Sequence, residues 1–335
     1  MLRPIPIEGT EQIEQFCAFP GSGACTPKML TRHQADASWM LLDNTGCAAA
    51  RCSLWRRHVP EYAGHQLGLI GHFAAQAPDA AARILSLACD QLSSLGCTMA
   101  VGPLDGNTWR QYRLITERGA EPKFFLEPDH PDNWPAYFSH GGFFPLSQYV
   151  STLNSDPGRP DTRLSSVAES IQEQGIEIRP VDLDRFEDEL FQIHRVAVES
   201  CRNNFLFAPI DACEFSHQYL SLRPYVRPEL VLLAERQGLV IGFVFAIPDV
   251  LQSARCRNID TVILKTLCVL PEYAGKGLGS LLVSRCQEIA VRLGYRRVIH
   301  ALMQDNNFST RISSYYARPI RRYALFARYL GDAKP

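Results

Sequence analysis

The stretch that most constrains the fold is Thr266–Ser280, TLCVLPEYAGKGLGS. It overlaps the end of an apolar, β-branched segment, Thr261–Leu270, that is typical of a strand. It leads into Ser280–Leu293, whose apolar residues recur with helical spacing. Between them, three glycines at alternate positions predict a tight turn: Gly275, Gly277 and Gly279. Glycine lets the backbone approach an anion closely, and a helix start offers N–H groups without partners. The pattern fits a phosphate cradle, to which Lys276 adds a positive charge, and equally an ordinary strand-to-helix connection.

Two familiar phosphate-binding loops do not match this turn. A P-loop needs Gly-Lys followed by Ser or Thr, whereas Gly277 follows Lys276. A Rossmann fingerprint needs GxGxxG with an acidic residue about 20 positions later, whereas this turn has GxGxG. Both of these nucleotide-binding classes are therefore excluded.

Composition and charge narrow the class of partner. Of the 335 residues, 46% are hydrophobic and 21% charged, which is typical of an ordinary globular chain of about two domains. The formal net charge is -1, from 34 basic and 35 acidic residues, so no overall basic field exists to hold nucleic-acid phosphates. We expect no nucleic-acid partner, and either a monomer or a homodimer.

The cysteines and the apolar segments bear on the compartment. The 11 cysteines are scattered without a CxxC pair, so we expect neither a disulfide framework nor a metal site. The N-terminal residues lack the apolar run of a signal peptide. Apolar stretches such as Leu239–Pro248 are too short to cross a bilayer. The sequence therefore predicts a cytoplasmic protein with no bound metal and no membrane partner.

A polar, proline-containing segment, Asn154–Thr162, divides the chain into two halves. Shifting the first half by 198 positions places Leu69–Phe73 on Leu267–Pro271, and Gly96 on Gly294. This weak repeat predicts two copies of one fold. The expected boundaries are 1–153 for the first domain, 154–174 for a linker with a short helix, and 175–335 for the second domain.

The run Leu267-Cys-Val-Leu-Pro271, followed by Gly277-Leu-Gly279, resembles the acyl-CoA loop of the GNAT superfamily of N-acetyltransferases. That family has Arg/Gln-x-x-Gly-x-Gly/Ala after a strand of the form Leu-x-Val-x-Pro. Ala274 departs from the pattern, because it stands where the family has Arg or Gln. The order of predicted elements over Ile176–Leu330 is also similar. The resemblance implies an α/β (α+β) fold of two tandem GNAT-like domains, each a mixed, mostly antiparallel twisted sheet flanked by helices.

The resemblance also implies the co-substrate, acetyl-CoA or another acyl-CoA. Its pantetheine arm would lie along the strand, and its pyrophosphate would rest on the main-chain amides of the turn. The residues implied in this binding are Leu267, Cys268, Val269, Leu270, Gly275, Lys276, Gly277, Leu278, Gly279, Ser280 and Asn307.

The catalytic residues are less constrained than the turn. In the family, a tyrosine on the helix after the asparagine protonates the departing thiolate, and here Tyr315 and Tyr316 are both candidates. His300, on the strand opposite the pantetheine, is a candidate general base. For each of the three, simple packing is the alternative.

The first half lacks the glycine turn. The repeat places Ala77, Asp79 and Ala81 on the three glycines, and a carboxylate at a helix start competes with pyrophosphate for the same N–H donors. We therefore expect a degenerate first lobe that does not bind CoA and that completes an acceptor pocket. Four aromatic residues could line that pocket or belong to the core: Trp109, Trp134, Phe143 and Phe144.

Together these features predict an N-acetyltransferase that transfers the acetyl group of acetyl-CoA to a primary amine of a small molecule by direct attack. Two alternatives remain open. One is a non-catalytic acyl-CoA-binding or regulatory protein. The other is a carrier-protein-dependent acyltransferase or decarboxylase of a biosynthetic pathway. The sequence identifies neither the acceptor amine nor the acyl chain.

Overall fold

The computed structural model describes residues 2–20, 25–255, 258–305 and 307–331. The strands are β1 Arg3–Pro6, β2 Ala37–Leu42, β3 Ala48–Trp55, β4 Leu67–Ala75, β5 Met99–Gly102, β6 Leu114–Glu117, β7 Phe144–Asn154, β8 Ile176–Pro180, β9 Val231–Arg236, β10 Leu239–Pro248, β11 Thr261–Val269, β12 Arg297–Gln304 and β13 Arg318–Tyr329. The α-helices are α1 Thr10–Cys17, α2 Pro27–His33, α3 Pro78–Ser94, α4 Trp134–His140, α5 Ser165–Glu173, α6 Phe186–Cys201, α7 Ala212–Leu220, α8 Leu278–Arg292 and α9 Phe308–Ser313.

One continuous mixed sheet runs through the molecule in the order β1-β2-β3-β4-β5-β13-β7-β12-β11-β10-β9-β8, and β6 pairs with β13 outside this path. Neighbouring strands are antiparallel except for the pairs β4–β5 and β11–β12, which are parallel. The predicted fold class, a mixed and mostly antiparallel sheet flanked by helices, is confirmed.

The two halves exchange their last strands. The C-terminal strand β13 lies between β5 and β7, both from the first half. In return, β7 pairs with β12 of the second half. Each half therefore completes the sheet of the other, and the centre of the sheet is built from both.

Helices cover the sheet by burying one apolar stripe each. On α3 the stripe includes Ile84, Ala88 and Leu92, and on α8 it includes Leu282 and Cys286. Both stripes have the spacing expected of an amphipathic helix. Among the residues described, no helix is long and apolar enough to cross a bilayer.

The 198-position repeat holds in part. Gly96 and Gly294 both follow a helix with positive φ, 85° and 93°. The strands before the helices, however, do not follow the 198-position offset. Leu69 pairs with Val101, and the residue that pairs with Ile299, 198 positions after Val101, is Ile263. The counterpart of Leu69 is thus Ile263, and placing Leu69 on Leu267 was wrong. The difference lies in the connection to the helix, where residues 76 and 77 in the first half replace 270–277 in the second.

A buried ion pair joins β13 to the loop before α4. Arg321 and Glu127 contact each other with both side chains fully buried. The Tyr323 hydroxyl also donates to Glu127 and contacts Ser151 Oγ at 3.0 Å. The exchanged strand is therefore held to the first half by charge as well as by backbone pairing.

Replacing Arg321 by Met should lower the free energy of unfolding by about 3–5 kcal/mol, because it removes the counter-ion of the buried Glu127 carboxylate. The matched control is Arg322→Met on the same strand. The Arg322 side chain is 42% exposed, and its ion pairs with Glu117 and Asp305 are 3.5 and 3.8 Å long. The control should cost less than about 1 kcal/mol. Urea unfolding measures the free energy of unfolding of both variants. Equal losses in the two would contradict the assignment of Arg321 and Glu127 as a buried ion pair.

Candidate functional site

The parallel strands β11 and β12 pair only at their start. Their last pair is Leu264 opposite His300, although β11 continues to Val269 and β12 to Gln304. Beyond that pair the two backbones diverge and leave a wedge-shaped gap in the middle of the sheet.

A bulge in β11 accompanies the divergence. Lys265 is the extra residue, because Leu264 faces Ala246 on β10 whereas Thr266 faces Phe245. A bulge bends its strand and increases its twist. It also changes which face of the strand the following side chains occupy, and it leaves Lys265 at the narrow end of the gap.

A second bulge lies across the gap in β12. The register between β12 and β7 shifts between His300 and Met303, and Leu302 adopts a positive φ of 60°. The Leu302 N–H donates to Ser151 Oγ at 3.0 Å. The far side of the gap is therefore held in place by β7, a strand of the first half.

The edge of β11 that faces the gap carries backbone groups outside the ladder with β10. The Val269 N–H donates to Ser200 Oγ at 3.3 Å on one side. The next N–H, of Leu270, donates to the Ile241 carbonyl at 2.9 Å on the other side. Successive residues of a strand direct their backbone N–H and C=O groups to alternate sides. The backbone groups of Leu267 therefore face the gap, as those of Val269 do. An extended ligand in the gap could pair with them as a strand would.

The glycine turn lies at the wide end of the gap. Gly275 and Gly277 have φ of 75° and 86°, and Gly277 is the residue that caps the start of α8. A Cβ atom on Gly277 would lie 2.6 Å from Val167 Cγ1, whereas one on Gly275 would meet nothing within 4 Å. The first N–H groups of α8 have no partner within the helix. The turn is thus open at Gly275 and packed against Val167 at Gly277, and the N–H groups at the helix start are suited to an anion.

Two adjoining cavities, which share lining residues, follow the gap. The one beside the turn, here called the loop cleft, has a volume of about 250 Å³ and is lined by Val269 and the three glycines of the turn. The second, here called the inner cavity, has a volume of about 210 Å³ and reaches Lys265 and His300. Five residues line both cavities: Cys201, Asn204, Leu267, Asn307 and Ser309.

Most residues predicted to bind the co-substrate lie at these cavities. Leu267, Val269, Gly275, Gly277, Gly279 and Asn307 line the loop cleft, and Cys268 lines the inner cavity. Ser280 is a half-buried residue in the first turn of α8, and the other three lie elsewhere. Leu278 and Leu270 are buried in the hydrophobic core, and the exposed Lys276 donates to the Glu272 carbonyl at 3.1 Å. Asn307 caps α9, because its side chain accepts from the Thr310 N–H.

The predicted tyrosines lie outside both cavities. We expected them on the helix after the asparagine, but α9 ends at Ser313 and both tyrosines lie in the turn that follows. Tyr315 is 64% exposed, and its ring stacks under the Arg163 guanidinium at 3.7 Å. Tyr316 donates to Asp161 Oδ2 at 2.7 Å, and burial raises its pKa.

His300 is brought to the inner cavity as a neutral imidazole. Its Nε2 lies 3.3 Å from Gln287 Oε1, which also accepts from Asn154 Nδ2 at 2.7 Å. Burial lowers the pKa of His300 to about 4. The ring is therefore unprotonated at neutral pH, the state that a base requires, although a conjugate acid of such low pKa makes a weak base.

The opposite wall of the inner cavity was mostly not predicted. It carries the aromatic side chains of Trp109, Tyr112, Tyr149, Phe205 and Phe207. Of the four aromatic residues considered from the sequence, only Trp109 lines this cavity. Trp134 and Phe143 are buried in the core of the first half, and Phe144 packs against Tyr329. Trp109, Tyr112, Phe205 and Phe207 lie in loops and Tyr149 lies on β7. These segments meet only after the halves have assembled, which no local sequence pattern indicates.

The equivalent gap of the first half is filled by its own chain. After β4 and β5 diverge, the Leu104 N–H donates to the Ile70 carbonyl at 2.8 Å. Asp105 accepts from the backbone N–H of His72 at 2.6 Å. A Cβ on Gly71 would lie 2.5 Å from the Leu104 carbonyl oxygen. At the diverging edge of β4, backbone groups are thus occupied by the loop that follows β5, whereas the edge of β11 lines a cavity.

A buried cluster of His33, His72 and Asp105 sits at the same place. Its possible ligand atoms lie within 4.8 Å of one another. The histidine nitrogens already hydrogen-bond, His33 Nδ1 to His72 Nε2 at 2.8 Å and His72 Nδ1 to Ser53 Oγ at 2.9 Å. The cluster therefore acts as a hydrogen-bonded plug in the filled gap.

Comparison with known proteins identifies the fold. Residues 192–312 match the model of the acetyltransferase (GNAT) family. No curated protein is significantly similar in sequence. A tandem GNAT protein from the clavulanic acid biosynthesis pathway superposes with a TM-score of 0.52 at 10% identity, covering 100% of both chains.

Two further solved structures are similar. A probable N-acyltransferase of unknown function from Enterococcus faecalis V583 has a TM-score of 0.57 at 12% identity, covering 98% of this chain and 72% of that one. A glucosamine N-acetyltransferase region of a fungal multi-domain GH3 β-N-acetylglucosaminidase has a TM-score of 0.54 at 10% identity. The match covers 98% of this chain and 38% of the fungal one. At these identities the likeness concerns the fold alone, and the predicted tandem GNAT fold is confirmed.

The buried His300 should make folding sensitive to acid. Its folded pKa is about 4, so between about pH 6.5 and 4 the unfolded chain binds a proton that the folded chain does not. Above about pH 6.5 the protonation of His300 does not oppose folding, and the free energy of unfolding decreases as the pH falls below that value. We expect His300→Gln to reduce the loss of unfolding free energy between pH 7.5 and 5.0 by about 2 kcal/mol.

Urea unfolding at the two pH values tests this expectation. The exposed His140, at the end of α4, supplies the control variant His140→Gln, which should keep the pH dependence of the unsubstituted protein. An identical dependence in the His300→Gln variant would contradict the burial assigned to His300.

Proposed function

We propose that this chain, whose residues 192–312 match the acetyltransferase (GNAT) family model, is an acyl-CoA-dependent N-acyltransferase. The reaction we propose is transfer of acetyl from acetyl-CoA to a primary amine of a small molecule. The observation that carries the proposal is the continuity of the glycine turn, the open edge of β11 and the inner cavity. Together they offer a place for a diphosphate, an extended arm and an acceptor, in that order.

The co-substrate would supply an activated thioester, and the chain's own groups would bind and orient it. The diphosphate would accept from the amides of Gly275 to Ser280, where the start of α8 favours negative charge. The pantetheine arm would lie against Leu267 to Leu270. An N–H on the gap side of β11 would donate to the thioester carbonyl oxygen as charge develops there.

The candidates for proton transfer lie at the inner cavity and in the turn after α9. His300 lines it and is neutral at pH 7, so it remains our candidate for the base. Tyr315 and Tyr316 remain candidates for the acid, although both would have to move to reach the cavity. Tyr149 already lines it, and burial raises its pKa to about 12, so its hydroxyl stays protonated and able to donate.

The first half would serve the acceptor side. Its own gap is filled, and its short connection before α3 has no glycine turn. Its contribution would be Trp109, Tyr112 and Tyr149 of the aromatic wall, together with β7 behind the bulge of β12. On this account one lobe binds acetyl-CoA and the other shapes the acceptor pocket.

Introducing a carboxylate in the turn should weaken acetyl-CoA binding through charge. Gly275 has positive φ and free space for a side chain, and both Asp and Asn tolerate that conformation. We expect Gly275→Asp to raise the Kd for acetyl-CoA at least tenfold above that of Gly275→Asn, because only the carboxylate repels the diphosphate.

Isothermal titration at low salt measures this difference. Gly238 has φ of 78° in the β9–β10 turn with nothing within 4 Å of a Cβ, so Gly238→Asp serves as a control that should bind as the unsubstituted protein does. Equal affinities of the two Gly275 variants would count against the turn as the diphosphate site.

Turnover should require an amine. With acetyl-CoA and a panel of primary amines, free CoA thiol should appear only with an acceptor, and faster as the pH rises, because the attacking amine must be unprotonated. Direct attack further predicts no acetylated protein by mass spectrometry when acetyl-CoA is added alone.

Two outcomes would contradict this scheme. Tight acetyl-CoA binding without thiol release on any amine would favour a non-catalytic binding protein, which the position of Tyr315 and Tyr316 outside the cavities also favours. An acetyl group trapped on Cys201 or Cys268, whose sulfurs lie 3.9 Å apart at the cavities, would replace direct attack by an acyl-enzyme.

A further inference from the structure

The inner cavity contains a cation and no acid. Among the residues that the structure describes, no aspartate or glutamate lines it. Its polar wall consists of neutral groups and one ammonium, that of Lys265. A cavity of this composition is a poor receptor for a polycation, since nothing compensates the second positive charge.

Lys265 is held at the narrow end of the gap by the fold. It is the bulged residue of β11 and is half-buried. Among the residues that the structure describes, its ammonium has no hydrogen-bond or ion-pair partner. Burial and the nearby Arg113 guanidinium lower its pKa to about 8. A partly desolvated ammonium without an anion is costly, so its position calls for a partner from outside the chain.

Arg113 strengthens the positive character of this wall. Its guanidinium lies between the rings of Tyr112 and Tyr149, 3.8 and 4.2 Å from their centroids. It donates to the Leu302 carbonyl at 2.8 Å, and no carboxylate pairs with it among the described residues. Two cations thus act on the inner cavity, one directly and one through its aromatic wall.

We infer that the acceptor is an amine that also carries a carboxylate on an apolar or aromatic body, and that Lys265 binds this carboxylate. The inference deepens the proposed function and rests on it for the site of transfer. The carboxylate would meet the Lys265 ammonium, the apolar body would pack on Trp109, Tyr112 and Tyr149, and the amine would face the open edge of β11. Amines without a carboxylate would leave the ammonium unpaired.

Binding in the presence of CoA, which holds no acyl group to transfer, tests the inference independently of catalysis. Three pairs differ only in the carboxylate: phenylalanine and phenethylamine, tryptophan and tryptamine, leucine and isopentylamine. We expect at least one amino acid to bind at least tenfold more tightly than its amine at pH 7. Lys265→Met should abolish that difference, and Lys265→Arg should keep most of it.

Lys28 is exposed on α2, far in sequence from Lys265. The control variant Lys28→Met should keep the preference for the amino acid over its amine. Circular dichroism and thermal unfolding establish that the Lys265 variants are folded. The inference is overturned if no amino acid of the three binds, if the amines bind equally well, or if Lys265→Met keeps the preference.

Thiol release with acetyl-CoA then separates this inference from the proposed function. If an amino acid binds through Lys265 but no CoA is released, the carboxylate site stands and the acyltransferase proposal fails. If CoA is released with the amines but not with the amino acids, the acyltransferase proposal stands and the carboxylate site fails.

Discussion

The site depends on one constraint, the separation of β11 from β12 after Leu264 and His300. Each strand is bulged at that point and is held on its outer side by a neighbour, β10 for β11 and β7 for β12. Because β7 comes from the first half of the chain, the gap in the second half is kept open by its partner. The buried ion pair of Arg321 and Glu127 holds β13, the other exchanged strand, to the first half. The cavity is therefore a property of the whole sheet.

The two halves show how one architecture can be open or closed. Both have a parallel strand pair that diverges, followed by a helix. In the first half the connection to the helix is residues 76 and 77 alone, and Leu104 and Asp105 take the backbone groups of β4. In the second half the longer connection makes the glycine turn, and the edge of β11 lines a cavity, where its Val269 N–H meets the Ser200 hydroxyl. The difference between a filled gap and a binding site is thus set by connection length and by which loop packs against the diverging strand.

The sequence was informative where structure is local. Periodicity and glycine placement located β11, the turn and α8 to within two residues, since these depend on neighbours in the chain. It failed where position depends on distant contacts. Tyr315 and Tyr316 fall beyond α9 because the helix ends at Ser313, which the sequence pattern did not indicate. The aromatic wall and the setting of Lys265 follow from strand exchange and from a bulge, and neither leaves a periodic signal in one sequence.

The most direct test of the account is a crystal structure of the protein with acetyl-CoA. The account predicts the diphosphate on the amides between Gly275 and Ser280 and the pantetheine arm along Leu267 and Val269, with the first half empty. A structure with the diphosphate elsewhere, or with β11 and β12 closed against each other in the crystal, would contradict it.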